Sequence, residues 1–134
     1  MKSPKHLSHK PIISVNNYDK IDAQYRSGTD AKALSIGQAQ YDKEEISLKV
    51  WRHTGEKWSR QSEELPLHRS IDLNILLLGA LTTDIDSGFP KTNLGEEVDN
   101  KSRVKEIKDY YNDHEGFLKP RLELLRDKLN DFLK

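Results

Sequence analysis

The chain has 134 residues, 34% of them hydrophobic and 33% charged, with a mean hydropathy of −0.83, which fits one domain with a small core or a core completed by a partner. Lys plus Arg and Asp plus Glu stand equal at 22 each, so no overall field steers the chain to nucleic acid or to an anionic membrane. Cysteine is absent, which excludes disulfides, thiol catalysis and thiolate metal sites.

Residues 1–11 are polar and basic, are punctuated by Pro4 and Pro11, and read as a loose arm. The arm lacks the apolar run of a secretory signal, and the longest apolar run, Ile75 to Leu78, is too short to span a bilayer. A cytoplasmic protein that does not engage membranes is expected. Ile12 to Val15 is β-branched and stops at Asn16-Asn17, a strand followed by a turn. In Ile46–Arg52 the residues Ile46, Leu48 and Val50 alternate with Ser47, Lys49 and Trp51, the period of a half-buried strand. Ala33–Tyr41 reads as its partner, with a bulge at Gly37 to reconcile two parities, or as a helix over residues 30–40. Thr54-Gly55 is a turn, after which Lys57-Trp58 can return as a short piece.

A helix is predicted over residues 62–82, starting near Ser62 or Pro66, with Ser62 able to cap it, Glu63 and Glu64 at the positive dipole end, and Pro66 tolerated only in the first turn. Leu67, Ile71, Ile75, Leu78 and Leu81 repeat at helical spacing there, and Leu76 and Leu77 widen the stripe. Residues 83–98 read as a linker loop. Helices follow over 99–112 and 117–133, the last carrying Leu118, Leu122, Leu125, Leu129 and Phe132 on one face. The architecture this predicts is a single α+β domain over residues 1–134. It has a small antiparallel sheet of two or three strands in its first half, packed against about three helices.

The polar block Trp51 to Arg69 carries the candidate chemistry. Between Lys49 and Arg69, five cations (Lys49, Arg52, Lys57, Arg60, Arg69) oppose Glu56, Glu63 and Glu64. Guanidinium groups grip phosphate or carboxylate in two-pronged fashion, and an indole, Trp51 or Trp58, can stack on a ring. One reading is therefore an anion-binding site. A second is a metal-dependent or acid–base hydrolase centred on His53, Glu64 and His68, although no HExxH pair is formed. A third is purely structural: arginines paired with Glu63 or Glu64, indoles packing the sheet onto the helix, and His68 as a cap. A fourth is a subunit interface, since Trp and Arg are enriched at binding hot spots.

The segments TDAKALSIGQAQ and VWRHTGEKWSRQSEELPLHR resemble a small bacterial protein family of unknown function. The likeness runs from about Pro4 through the helix at Ile71–Leu81, and it implies membership without an activity. SEELPLHRSIDL is similar to a helical hairpin of phage proteins that sequester cyclic-nucleotide signals, which adds sequestration of a nucleotide signal as an alternative. Together these features lead to an expected small non-enzymatic, homo-oligomeric binding protein without a cofactor or metal. Its partner would be an anionic small molecule, of which a nucleotide is one example, or a protein, rather than nucleic acid. The site would be Trp51, Arg52, His53, Lys57, Trp58, Arg60, Glu64, His68 and Arg69. A pure assembly module is a further alternative.

Overall fold

The computed structural model describes residues 1–60, 62–82 and 91–134. The chain forms two compact units, Met1–Asp72 and Leu73–Lys134. The first contains an antiparallel meander of β1 (Lys10–Asn16), β2 (Ala31–Gln38), β3 (Ile46–Arg52) and β4 (Glu64–Pro66), in the spatial order β1-β2-β3-β4. Helix α1 (Leu67–Leu81) spans the boundary, and α2 (Val104–Asp113) and α3 (Glu115–Phe132) belong to the second unit.

The α+β class holds, but the sheet has four strands rather than two or three. The fourth strand is where a helix start at Ser62 fails, while one near Pro66 is off by a single residue. Glu64, Leu65 and Pro66 are extended and pair with Lys49, Leu48 and Ser47, so the helix begins only at Leu67. Proline costs little on this edge strand because its missing N–H need not face a neighbour. Glu63 and Glu64 are therefore released from any helix-dipole role and become available to side chains of β3.

The bulge lies elsewhere than predicted. Alternation runs unbroken through Gly37, and the extra residues sit in β1, between Pro11 and Ile13, and at the start of β2, between Ala31 and Ala33. Gly37 is needed for a different reason: a Cβ there would collide with the Lys10 carbonyl, so only glycine lets β1 approach. The turn at Thr54-Gly55 forms, with Gly55 at φ 102°, and an isolated bridge joins His53 to Trp58 as the returning piece.

The sheet buries the face opposite to the apolar one. Ala31, Ala33, Ser35 and Ala39 of β2 and its extension are buried, as are Ser47, Lys49 and Trp51 of β3. Leu34, Ile36, Leu48 and Val50 are only partly covered, while Ile13 and Val15 are exposed. The cover on the buried face comes from the N-terminal segment. Expected to be loose, it has Ser3, Pro4 and His9 buried, with Ser3 Oγ 2.6 Å from Ser14 Oγ and the Asn17 amide bonded to the Met1 carbonyl at 3.0 Å.

In the second unit the predicted helices are present with shifted starts. The Asn100 side chain accepts from Ser102, and α2 begins at Val104. His114 separates α2 from α3 and stacks on Tyr110 at 4.0 Å. The expected linker over residues 83–98 lies partly outside the described residues; within its described part, the Glu96 carboxylate accepts bonds from the Lys91 and Thr92 amides. Among the described residues no helix is long and apolar enough to cross a membrane.

Candidate functional site

A row across the sheet, Ser14, Ser35, Lys49 and Glu64, places polar side chains side by side on the buried face. The small residues Ala33, Ser35 and Gly37 leave space over β2, and His9 and Trp51 fill it. His9 has no accessible surface. Its Nε2 lies 2.9 Å from Ser35 Oγ and its Nδ1 3.0 Å from Ser47 Oγ. The Trp51 indole N–H donates to Ser35 Oγ at 2.8 Å. With one Ser35 Oγ lone pair taken by the indole, the Ser35 O–H is free to donate to Nε2, the arrangement in which Nδ1 carries the ring proton; the opposite tautomer would have Nε2–H donate to the second lone pair. Burial holds the His9 pKa below its ordinary value, opposed by the Glu64 charge and reinforced by the Lys49 charge, and the neutral ring follows.

Glu64 lies at the edge of this network. Its Oε1 is 3.1 Å from His9 Nδ1 and 3.7 Å from Lys49 Nζ, without a hydrogen bond of good angle to either, while Oε2 accepts from the Gln40 amide at 3.0 Å. Lys49 also donates to Gln40 Oε1 at 3.3 Å and lies 4.2 Å from the centre of the Trp51 ring. Burial lowers the Lys49 pKa, with the Glu64 carboxylate opposing.

Ser35, His9 and Glu64 thus stand in the order of a nucleophile–base–acid relay. They are sealed, however: Ser35 is 6% exposed, His9 0%, and Ser35 Oγ already accepts the indole N–H. A carbonyl substrate has no approach to that oxygen. The relay geometry here holds the N-terminal segment on the sheet.

Beside the network opens a groove of about 670 Å³, lined by Leu7 and Ser8 of the N-terminal segment, Gln40 and Tyr41 after β2, Lys49 and Trp51 of β3, and Trp58, Ser59, Arg60, Ser62 and Glu64. Trp51 is 1% exposed and closes the floor, so it offers no stacking face. Trp58 is partly exposed and stands edge-on to Trp51 at 5.7 Å and to His53 at 4.9 Å. Arg60 is exposed on the groove and makes no hydrogen bond or ion pair among the described residues. Of the groove's three ionised side chains, Lys49 and Glu64 offset each other, which leaves the Arg60 charge uncompensated.

The nine residues predicted for the site divide accordingly. Trp51, Trp58, Arg60 and Glu64 line the groove. Arg52 is spent elsewhere, donating to Glu63 at 2.7 Å and to Asp30 at 2.6 Å. Those bonds, Glu63 first, raise its pKa above an already high value, and Arg52 in turn lowers that of Glu63. The His53 ring accepts from the Gly55 amide at 3.0 Å. Lys57, His68 and Arg69 are exposed and do not line the groove. Of the three residues of the hydrolase reading, only Glu64 does, and no group of three His, Asp or Glu side chains able to hold a metal converges among the described residues. His9, Ser35, Ser47, Gln40 and Tyr41 were missed. A signal for part of them was present: a strand with small residues at every second position, 31 to 39, reserves room on that face for something large.

A family model matches residues 1–91. The chain belongs to a family of unknown function (DUF6530). The match takes in the whole sheet, the groove and α1, while α2 and α3 lie beyond it. No curated protein and no solved structure matches the chain.

Proposed function

We propose that the chain is a small non-enzymatic binding protein that holds a planar anionic ligand, of the nucleotide type, in the groove between its N-terminal segment, β3 and the residues Trp58 to Arg60, Ser62 and Glu64. The observation that carries this reading is the pair Trp58 and Arg60. A partly exposed indole and an uncompensated guanidinium face one groove of about 670 Å³, within the size range of small-molecule sites. The ring of the ligand stacks on Trp58, its anionic group takes the two-pronged Arg60 contact, and the Tyr41 and Ser8 side chains line the mouth. Sequestering a nucleotide signal is one biological use of such a site. The reading includes self-association, supported by the exposed Ile13 and Val15 on the sheet's second face.

Native mass spectrometry of protein purified from its own cells tests for a co-purifying anion. Titration with nucleoside monophosphates, followed by Trp fluorescence and by melting temperature, tests the site. Arg60→Ala should remove the ligand-induced thermal shift while changing apo stability by no more than ~0.5 kcal/mol, because the side chain is exposed and unpaired among the described residues. An undiminished shift in Arg60→Ala would refute the site. Unfolding of that variant would return the block to a structural role.

A further inference from the structure

We propose that the Leu73–Lys134 unit docks an amphipathic helix of a partner protein, one whose apolar face is flanked by acidic residues. On α3, Leu118, Leu122, Leu125, Leu129 and Phe132 follow a 4-3-4-3 spacing, the seam of a coiled coil. Helix α2 has 10 residues against 18 in α3, about 15 Å of cover for about 27 Å of seam. Leu118, Leu122 and Leu125 are accordingly half-buried, whereas Leu129 is 47% and Phe132 84% exposed. The upper part of the seam opens into an apolar groove of about 510 Å³, lined among others by Leu77, Leu81, Ile107, Tyr111, Leu118 and Leu122. A groove continuous with a helical seam is the shape that receives another helix.

Charge decides what kind of helix. At 100° per residue, Lys119 and Arg126 fall on one side of the α3 seam and Arg121 and Lys128 on the other, while Glu123, Asp127 and Asp131 fall on the back. Only Glu115, which pairs with Lys119 at 3.9 Å, breaks this pattern near the seam. Helix α2 repeats it in part: Lys108 and, just before the helix, Arg103 stand beside the Val104–Ile107–Tyr111 stripe and Asp109 and Asp113 away from it, while Glu106 lines the groove and pairs with Arg103. Flanking positions of a helix pair set partner choice. A second copy would set cations against cations in either orientation; glutamates or aspartates beside the seam of a different helix would meet them. Both helices carry back-face acids that offset their cations, which weakens attraction to an anionic bilayer relative to a helix that meets the flanks alone. Helices α2 and α3 lie outside residues 1–91, whereas Leu77 and Leu81 of the groove lie within them.

The test uses the full chain and two labelled synthetic helices of about three heptads, identical in their leucine seams, one with Glu and one with Lys at the flanking positions. Fluorescence anisotropy should show the Glu-flanked peptide binding at least about tenfold more tightly than the Lys-flanked one, with the preference shrinking as salt rises. The exposed double variant Leu129→Glu/Phe132→Glu should lose binding with its circular dichroism unchanged. Lys119→Glu/Arg126→Glu should shift the preference toward the Lys-flanked peptide. Failure of both peptides to bind, or equal binding by both, overturns the proposal. So does a concentration-dependent mass of the free chain that Phe132→Glu abolishes, because a second copy would then occupy the seam. Tighter capture by phosphatidylglycerol vesicles than by the Glu-flanked peptide overturns it as well.

Discussion

His9 shows how much one buried side chain organises here. Both ring nitrogens are taken by serines, the ring lies edge-on to Trp51 at 5.5 Å, and the charged groups facing it are Lys49 and Glu64. Because burial lowers its pKa, the unfolded chain binds more protons than the native one below the ordinary value of 6.5. Stability contributed by neutral His9 is therefore complete above about pH 6.5 and drains away as pH falls toward the depressed native value, by at most ~1.4 kcal/mol per pH unit. Urea denaturation at about pH 7.5 and about pH 5.5 should show this acid loss in the wild type and a flatter dependence in His9→Gln. Equal slopes would mean the ring is not the titrating group. Glu63 does not confuse the window: its depressed pKa lies below 4.5, so its contribution is lost only in stronger acid.

At the scale of elements, the close approach of β1 to β2 depends on Gly37 more than on any apolar contact between them. A methyl group there meets the Lys10 carbonyl, backbone that cannot rotate away. Gly37→Ala should cost about 1–3 kcal/mol by chemical denaturation, since β1 must shift. Gly116→Ala is the control: a Cβ there meets nothing within 4 Å, and alanine favours the helix by up to ~1 kcal/mol. A neutral Gly37→Ala would show that β1 is not held at this register. Strand β4 was hidden because three residues ending in proline, preceded by Ser-Glu, carry every local mark of a helix start. Pairing with β3 outweighs those marks, since each extended residue there gains a ladder partner.

For the whole molecule, the open question of association turns on the partly covered sheet face. A shallow depression of about 350 Å³ there is lined by Ile13, Val15, Leu34, Ile36, Leu48 and Val50, among others. If a second copy lies on it, sedimentation should give a concentration-dependent mass, and Val15→Lys should give a monomer with unchanged circular dichroism, because Val15 is 44% exposed. A monomeric wild type at micromolar concentration would count against self-association. It would leave the groove at Trp58 untouched, since that groove lies on the other face.

Strand β3, with bounds Ile46–Arg52, and the apolar stripes of the three helices were legible in the residues themselves, because period 2 and period 3.6 are local properties of the chain. Of the residues singled out in the polar block, Trp58, Arg60 and Glu64 line one groove. What only the tertiary structure decided was which face of the sheet is inside. Alternation says that two faces differ, and apolarity favours Leu48 and Val50; yet the face with Ser47, Lys49 and Trp51 is the buried one. The N-terminal segment supplies the reason. His9 meets Ser35 and Ser47 across separations of 26 and 38 residues, and bonds between such distant groups leave no periodic trace in the sequence. The same contacts seal the Trp51 indole into the floor of the groove, while the pairing of Arg52 with Glu63 and Asp30 removes an expected donor and leaves Arg60 to face the groove.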